Sequence, residues 1–524
     1  MSATRRFFYA TFCKSVQAAL AVGTLLAAAP AEAREYFVSS DGVDKNNTEG
    51  SESEPFLTIQ KAADLTLPGD VVTVKDGTYS NASPNGNVVS IKRSGTDKAG
   101  ITYRAFPGHT PKLKFTGWNG IGISNGASYI EIKGFEVEGS IKDTTLEHCT
   151  AQKDVADPLC NGGGISIDGR NDGLKKPHHI YIHDNEVHHC AGGGISGIAA
   201  DYITIEHNKV HDNSWYTRYG TSGISILTPW NFDNSTGYRI FIQQNTVWNN
   251  KTQVPWEQIK KLSDGNGIIL DTFKGTDQNS PPAPYGGRTL VQNNVSFNNG
   301  GSGIHAYKSV HVDIINNTAF KNGQVVGYAD IFAGDSDDVT ILNNVMYARP
   351  TGNVNSKPQG SNVVFDYNVY FGGLTPAVKG THDRVLDPKF VDPTKGDFRP
   401  TEGSPLIDTA ATTLAPKDDL IGTKRPQRKG PDVGAFELPA GTGQKPTALA
   451  ADTIDNTDLG KTADPNDYRA GEQTDNQAND QADKTDGGVS SEAGCSYGAA
   501  PVSSTGLGAL VALVGLAFLR RRQS

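Results

Sequence analysis

A repeated asparagine constrains the fold of this chain more than any other feature of its sequence. Six segments share the form apolar-x-apolar-x-x-Asn-x-small-x-x-(Asn or Cys), read around Asn185, Asn208, Asn245, Asn294, Asn317 and, less completely, Asn344. The apolar residues alternate with period two, which indicates short strands. An asparagine at a fixed place after each strand marks a turn whose amide can hydrogen-bond to the next layer.

A second strand precedes each of these segments and opens with Gly-Ile. The dipeptide occurs at Gly164-Ile165, Gly194-Ile195, Gly223-Ile224, Gly267-Ile268 and Gly303-Ile304. Short strands that recur at intervals of about 23 residues must stack layer on layer to bury their apolar faces. The pattern therefore predicts an all-β fold, a parallel β-solenoid.

The two flanks of the repeat fit the ends of such a solenoid. Residues 55–65 have helical spacing of apolar residues and predict an N-terminal capping helix. The stretch 36–79 resembles the entry region of right-handed parallel β-helix proteins, and 387–436 resembles their closing segment. This resemblance implies that residues 34–440 form one right-handed parallel β-helix domain, which we expect to be a monomer.

Charge limits the partners of the domain. The 524 residues carry a net charge of -9, with 48 basic and 57 acidic side chains. No broad basic surface is available to neutralise a phosphate backbone, so we expect no nucleic acid partner. A polyanion such as an acidic polysaccharide could still bind locally.

Both termini have the composition of targeting segments. Residues 1–33 contain Arg5-Arg6, an apolar run and a small-residue cleavage site, which predicts a signal peptide and an exported protein. Ordinary secretion is favoured over the twin-arginine route. Residues 441–493 are polar with almost no large apolar residues, which predicts a disordered linker.

The last segment, 494–524, contains Gly494-Cys495, an apolar stretch and then Arg520 to Arg522. It resembles the MYXO-CTERM class of C-terminal sorting signals, which implies a protein of the cell surface or outer membrane whose tail is processed. A plain membrane anchor with positive-inside arginines is the alternative.

Unequal spacing of the asparagines indicates where function lies. From Asn185 onward the steps are 23, 37, 49, 23 and 27 residues, so two consecutive coils are enlarged. Long loops in a compact repeat are usually functional. The added loops are 214–222, 229–237, 251–266 and 272–287.

Two of these loops leave the same corner of adjacent coils, after Asn213 and after Asn250. Neighbouring coils lie about 4.8 Å apart, so we expect the first loop to overhang Lys251. An aromatic and basic cleft suits a carbohydrate that carries carboxylates. The candidate substrate-binding residues are His211, Trp215, Arg218, Trp256, Asp264, Asn266, Asp271 and His305.

The sequence of these loops resembles the β-helix polysaccharide lyases of family 31. The resemblance rests on His211-Asp212-Asn213-Ser214-Trp215-Tyr216, on Asn250-Lys251, and on Asp264-Gly265-Asn266-Gly267-Ile268. It implies cleavage of alginate or glucuronan by a Tyr and Lys pair. These roles fall on Lys251 and Tyr216, with Tyr219 as the rival tyrosine.

A lyase of this kind removes the C5 proton of a uronic acid and expels the 4-linked oxygen. It needs a base, an acid for the leaving group and a cation that stabilises the developing enolate-like charge. We assign Tyr216 as proton acceptor and donor and Lys251 as base or charge stabiliser. Arg218 or His211 would pair with the substrate carboxylate.

Each assignment has a structural alternative. Lys251 could be a solvated corner residue, and Tyr216 and Trp215 could pack their loop against the coil. Asp264 and Asn266 could serve to turn the chain, and Asp271 could be an exposed strand residue. As whole-chain alternatives, Asp264 and Asp271 could form the carboxylate pair of a glycoside hydrolase, or the chain could be a glycan-binding adhesin without catalysis.

The sequence also offers candidates for a metal site and for a disulfide. Seven of the 12 histidines lie between His178 and His211 but lack tight ligand spacing, so we expect no essential metal. Calcium is possible at the acidic group of Asp335, Asp337 and Asp338. Cys160 could pair with Cys190, which occupies the equivalent place in the next coil, or with Cys149 across a short insertion.

Overall fold

The computed structural model describes residues 33–152, 156–275 and 284–441. The predicted all-β solenoid is confirmed, because three sheets of parallel strands stack along the described chain. Each coil passes through the sheets in the order C, A, B, and we name its corners AB, BC and CA after the sheets they join. Apolar side chains from all three sheets fill the interior as one continuous core.

Sheet A has 11 strands. They are Glu35–Val38, Val71–Val74, Ile101–Ala105, Ser128–Lys133, His178–His183, Asp201–Glu206, Tyr238–Gln243, Arg288–Gln292, Val310–Ile315, Asp337–Leu342 and Val363–Asp366. Sheet B also has 11 strands. They are Thr78–Ser80, Lys112–Lys114, Glu136–Glu138, Glu186–His188, Lys209–His211, Thr246–Trp248, Val295–Phe297, Thr318–Phe320, Val345–Tyr347, Val369–Phe371 and Arg384–Val385.

Sheet C has 8 strands and contains the predicted Gly-Ile segments. They are Val89–Ile91, Asn119–Ile123, Gly163–Asp168, Ile195–Ile198, Ile224–Leu227, Ile268–Asp271, Ile304–Tyr307 and Ile331–Gly334. Successive strands pair in parallel register, with Ile195 beside Ile224 and Ile224 beside Ile268. The isoleucines that open these strands are buried.

The predicted stack of asparagines lies at the AB corner. The Nδ2 of each asparagine donates to the Oδ1 of the next, at 3.0 Å from Asn185 to Asn208 and 3.1 Å from Asn208 to Asn245. The ladder continues through Asn294, Asn317, Asn344 and Asn368 to Asp383. Since these side chains are buried, their mutual bonds satisfy groups that would otherwise lack partners.

A second amide ladder lies at the BC corner, where the repeat has Asn or Cys. Asn213 donates to Asn250 at 3.0 Å, and the ladder continues through Asn299 and Asn322 to the Oδ1 of Asp330 at 2.9 Å. Cys190 precedes the ladder, and its backbone N–H donates to Asn213 Oδ1. The enlarged BC loops therefore leave from a rigid, hydrogen-bonded corner.

The carboxylate that ends the second ladder makes stability depend on pH. Burial raises the pKa of Asp330 from 3.8 to about 7. The folded state then holds a proton that the unfolded state has lost, so stability falls as pH rises from about 4 to about 7. We expect Asp330→Asn to raise the free energy of unfolding by roughly 2 kcal/mol at about pH 8, with a smaller gain at about pH 5.

Denaturant unfolding at the two pH values measures this difference. The exposed Asp97→Asn is the matched control, for which we expect the same pH dependence as the parent chain. A gain for Asp330→Asn that is equal at both pH values would contradict the proton-linked explanation.

Both ends of the solenoid are covered. The predicted capping helix is confirmed but shorter than 55–65: it spans Ile59–Ala63, with Thr58 as N-cap, and buries Ile59, Ala62 and Ala63. Near the other end, Phe390–Asp392 and Asp397–Pro400 form an antiparallel pair. Side chains of the closing segment 387–436 pack on the outer face of sheet B, among them Phe398, Leu420 and Phe436.

The remaining helical segments are short. They are Ile141–Asp143, Leu146–Ala151, Pro158–Asn161 and Pro393–Lys395. None of the helices in the described ranges is long and apolar enough to span a membrane. The predicted signal peptide, linker and sorting signal lie outside the described residues except for one residue at each edge.

The disulfide joins Cys149 and Cys160, the second of the two pairings that the sequence left open. Cys190 is a free, buried thiol. Its Sγ lies 3.6 Å from the carbonyl oxygen of His188 and packs in the interior core, which turns it away from the insertion that contains Cys160.

Candidate functional site

The two enlarged BC loops run side by side, as their common corner predicts. Backbone N–H groups of the second loop donate to carbonyls of the first: Lys251 to Asn213 at 3.0 Å, Gln253 to Trp215 at 3.1 Å, Glu257 to Arg218 at 2.8 Å and Gly265 to Thr221 at 2.8 Å. The loops therefore form one continuous wall beside sheet C. Lys251 is the first residue of the second loop, one coil after the coil from which the first loop leaves.

Two glycines lie against Lys251, one beside its backbone and one beside its side chain. A Cβ atom added at Gly300 would lie 2.9 Å from Lys251 Cα and 3.2 Å from its Cβ and Cγ. A Cβ at Gly265 would lie 2.9 Å from Lys251 Cα, and Gly265 has a φ of +65°. The absence of a side chain at Gly300 thus leaves room for the half-buried lysine stem, and Gly265 allows the close approach of the backbone at Lys251.

Tyr216 lies on the other flank of the wall. Its backbone N–H donates to the carbonyl of Ala191 in the preceding coil. Burial, and then the carboxylate of Glu147, raise the pKa of Tyr216 above its ordinary value. The phenol is therefore protonated at neutral pH. The rival Tyr219 is held through its backbone N–H, which donates to Thr217 Oγ1 at 3.0 Å.

Three other predicted residues are bound within the wall. Arg218 forms an ion pair with Glu257 at 2.5 Å and also donates to the carbonyl of Gln152. Trp215 Nε1 donates to the carbonyl of Asn249 at 3.0 Å. Trp256 is buried beneath the loop. These contacts favour a structural role for the two tryptophans, the alternative considered for Trp215.

A polar column that the sequence analysis missed joins the wall to sheet C. Ser222, Asn266 and Ser302 directly precede Gly-Ile in three successive coils, which is the signal that could have revealed them. Asn266 Nδ2 donates to Ser222 Oγ at 2.9 Å and to Asp264 Oδ1 at 3.3 Å. Asn266 Oδ1 accepts from the Ser302 backbone N–H at 2.8 Å.

Asn266 is fully buried, and its amide bonds on both sides to protein groups. It therefore acts as a hub that holds three coils in register. His305 continues this network, with Nδ1 at 2.5 Å from Ser302 Oγ and its ring stacked 4.5 Å from Phe332. Burial lowers the pKa of His305 to about 3, so its imidazole is neutral at physiological pH.

The CA corner forms the other margin of sheet C. Asp271 is the last residue of its strand and lies in register with Tyr307. The loops 229–237 and 284–287 are tied to a buried ion pair of Asp201 and Arg239 at 3.0 Å. Tyr285 Oη donates to Asp201 at 2.5 Å, and the Phe232 backbone N–H donates to the same carboxylate at 2.8 Å.

His211 is not brought to this face. It lies on the outer face of sheet B, where its ring stacks on His188 at 5.1 Å and on Trp248 at 4.1 Å. Burial lowers its pKa, but the carboxylates of Asp212 and Glu186 outweigh this effect and hold the pKa above its ordinary value. The ring of His211 therefore belongs to a stack of aromatic side chains on sheet B and not to the candidate site.

Two side-chain clusters of the described chain have the spacing of metal ligands. In the first, His148 and Asp157 lie beside Cys160, whose sulfur is already in the disulfide. In the second, Glu136 and Glu138 lie beside His188, but Lys112 Nζ contacts both carboxylates at 2.7 and 2.9 Å.

The acidic group considered for calcium is also paired with cations. Lys274 lies 2.9 Å from both Asp335 and Asp337, and Arg288 lies 2.7 Å from Asp338. A bound cation would have to displace these ammonium and guanidinium groups. The residues present therefore do not fit a calcium site.

A cavity of about 530 Å³ lies at the N-terminal end of the solenoid, between the capping helix and the first BC corner. Its lining includes Leu57, Tyr79, Ser83 and Asn87 and contains no charged side chain. It is thus separate from the wall formed by the enlarged loops.

Comparison with known proteins shows the family. Residues 36–336, more than half of the chain, match the Pel9A-like right-handed β-helix region. The uncharacterized protein YwoF of Bacillus subtilis (strain 168) is 34% identical over 70 residues, a segment that covers 13% of this chain and 13% of YwoF.

Solved structures of low sequence identity are also similar to this chain. Pectate lyase Pel9A is 17% identical, with a TM-score of 0.46, and the match covers 77% of this chain and 96% of that structure. An alginate lyase from Paenibacillus sp. str. FPU-7 is 15% identical, with a TM-score of 0.38 and coverage of 62% and 96%. The family match identifies the solenoid as the expected right-handed β-helix, and the chain belongs to the Pel9A-like right-handed β-helix family.

Proposed function

We propose that this protein is a polysaccharide lyase that cleaves a uronic-acid polymer of the alginate or glucuronan type by β-elimination. The observation that carries the proposal is the paired BC loops, which join the Tyr216 loop to Lys251 by backbone bonds. A solenoid needs neither loop for its own stability. Their pairing in adjacent coils supports a built surface for an extended polymer.

The two side chains suit different steps. A tyrosine whose pKa is raised keeps its proton at neutral pH, so Tyr216 suits the donor to the departing 4-linked oxygen. Lys251 suits the base that removes the C5 proton, or the cation that stabilises the resulting charge. Arg218 is engaged by Glu257, so recognition of the substrate carboxylate by Arg218 would require exchange of that ion pair.

The predicted terminal segments support a location outside the cytoplasm. The signal peptide predicted over 1–33 and the sorting signal predicted over 494–524 would place the enzyme at the cell surface or outer membrane. Polymeric uronates are too large to enter a cell intact, so an enzyme outside the cytoplasm matches this substrate class.

The proposal is tested by incubating the mature protein with alginate, glucuronan and pectate while following ultraviolet absorbance of the unsaturated product. We expect absorbance to rise with at least one uronate polymer. New reducing ends without unsaturation would indicate the glycoside hydrolase instead. Retardation of a polymer without any cleavage would indicate the glycan-binding adhesin. Either result would overturn the lyase.

A further inference from the structure

An insertion at the BC corner of an earlier coil reaches the wall of the candidate site. It is described at residues 139–152 and 156–162 and contains the helices Leu146–Ala151 and Pro158–Asn161. The Cys149–Cys160 disulfide closes it, and both cysteines are fully buried. Ser140 Oγ also donates to the carbonyl of Leu159 at 2.6 Å, which ties the start of the insertion to its end.

Asn161 connects this insertion to the first enlarged loop. Its Oδ1 accepts from Thr217 Oγ1 at 2.9 Å and from the backbone N–H of Arg218 at 3.0 Å. Its Nδ2 donates to the carbonyl of Asp157 at 2.8 Å, which fixes the orientation of the amide. Because Asn161 and Thr217 are buried, these bonds are shielded from competition with water.

The contact lies at the middle of the loop, between its two tyrosines. Thr217 directly follows Tyr216, and Thr217 Oγ1 also accepts from the backbone N–H of Tyr219 at 3.0 Å. A single asparagine side chain thus fixes the side chain of Thr217, which directly follows Tyr216, and the backbone of the two residues after it. The insertion also carries Glu147, which raises the pKa of Tyr216.

The disulfide explains how so short an element can hold this position. Pro158–Asn161 is a helix of 4 residues, too short to be stable in isolation. Cys160 lies directly before Asn161, so the bond to Cys149 restrains the asparagine itself. Disulfides restrict the alternative conformations that a chain segment can adopt.

We propose that Asn161, held in place by the adjacent disulfide, is a positioning residue for the loop that carries Tyr216 and Tyr219. Its effect on catalysis rests on the proposed lyase function, whereas its effect on the loop does not. The sequence alone left Cys149 and Cys160 without a role. In the structure they restrain the residue that docks the loop.

Hydrogen exchange of peptides from 214–222 tests the positioning directly, without reference to activity. We expect Asn161→Ala and the double variant Cys149→Ser/Cys160→Ser to speed exchange in these peptides about tenfold, with no change in peptides from sheet A. Asn161→Asp keeps both acceptor bonds but loses the donor bond to the carbonyl of Asp157, so it should restore slow exchange in part. Unchanged exchange in Asn161→Ala would overturn the proposal, as would equal acceleration in Asn161→Asp.

Turnover of the uronate polymer that the parent enzyme cleaves provides the second readout. We expect Asn161→Ala to lower kcat about tenfold and Asn161→Asp to recover part of this loss. Faster exchange with full activity would overturn the catalytic part of the inference. If the parent chain cleaves no polymer, the lyase proposal fails, and the exchange result still decides whether Asn161 positions the loop.

Discussion

Asn294→Ala is expected to destabilise the protein strongly, because the Asn294 side chain makes four hydrogen bonds within the first amide ladder. Asn294 Oδ1 accepts from the N–H and Nδ2 of Asn245, both at 3.0 Å. Its Nδ2 donates to the carbonyl of Ile242 at 2.9 Å and to Asn317 Oδ1 at 3.0 Å. Alanine would remove all four of these buried hydrogen bonds. Asn245 Nδ2 would keep its bond to the carbonyl of Ile205, and Asn317 Oδ1 would still accept from the backbone N–H of residue 294. Each buried group that is left unsatisfied costs about 1 to 3 kcal/mol.

Because neighbouring groups relax together, the total should be smaller than the sum, and we expect a loss of roughly 3 to 5 kcal/mol. Denaturant unfolding followed by circular dichroism measures it. Asn171→Ala, at an exposed turn, is the matched control and should leave stability within about 0.5 kcal/mol of the parent. A loss below about 1 kcal/mol for Asn294→Ala would mean that the ladder follows the fold without stabilising it.

The solenoid could be predicted because its signals are periodic. One asparagine per coil, at the same place after a strand of period two, specifies both the turn and the stacking direction. The same periodicity locates the enlarged loops as departures from the regular spacing. The second ladder at the BC corner was also visible, as the Asn or Cys that ends each repeat.

For the candidate site, the sequence predicted which loops pair but not the contacts that their side chains make. Loop pairing followed from the shared corner, but irregular loops have no period that tells where a side chain points. The carboxylate of Glu147, which raises the pKa of Tyr216, belongs to an insertion 66 or more residues earlier in the chain. The bond of Arg218 to the carbonyl of Gln152 reaches the same insertion. The docking role of Asn161 is likewise a long-range contact.

His211 and Cys190 show a second limit. The sequence spacing placed both residues in the right coil, but it did not show whether each side chain points into the core or outward. His211 is the last residue of a sheet B strand and stacks outward there, whereas Cys190 turns inward at the corner. A shift of one residue moves a side chain to the opposite face of a strand. Short strands of three residues leave little pattern with which to decide.

Lys251→Ala is expected to have the largest effect on activity. If Lys251 removes the C5 proton, its loss should lower kcat by about 10² to 10⁴. Lys251→Arg should not restore turnover, because a guanidinium stays protonated and cannot act as a base. Lys261→Ala, an exposed lysine of the same loop, is the matched control and should retain full activity. Recovery of turnover in Lys251→Arg would instead assign Lys251 as the stabilising cation.

The glycines that confine Lys251 allow the same role to be tested without removing the ammonium. A methyl group at Gly300 would meet Lys251 Cα at 2.9 Å and its stem at 3.2 Å, so Gly300→Ala must displace the lysine. We expect turnover to fall about tenfold or more, since small misplacements of a reacting group are costly. Gly327→Ala, where a Cβ meets nothing within 4 Å, should leave turnover unchanged. Full activity in a folded Gly300→Ala enzyme would show that the position of Lys251 does not govern the reaction.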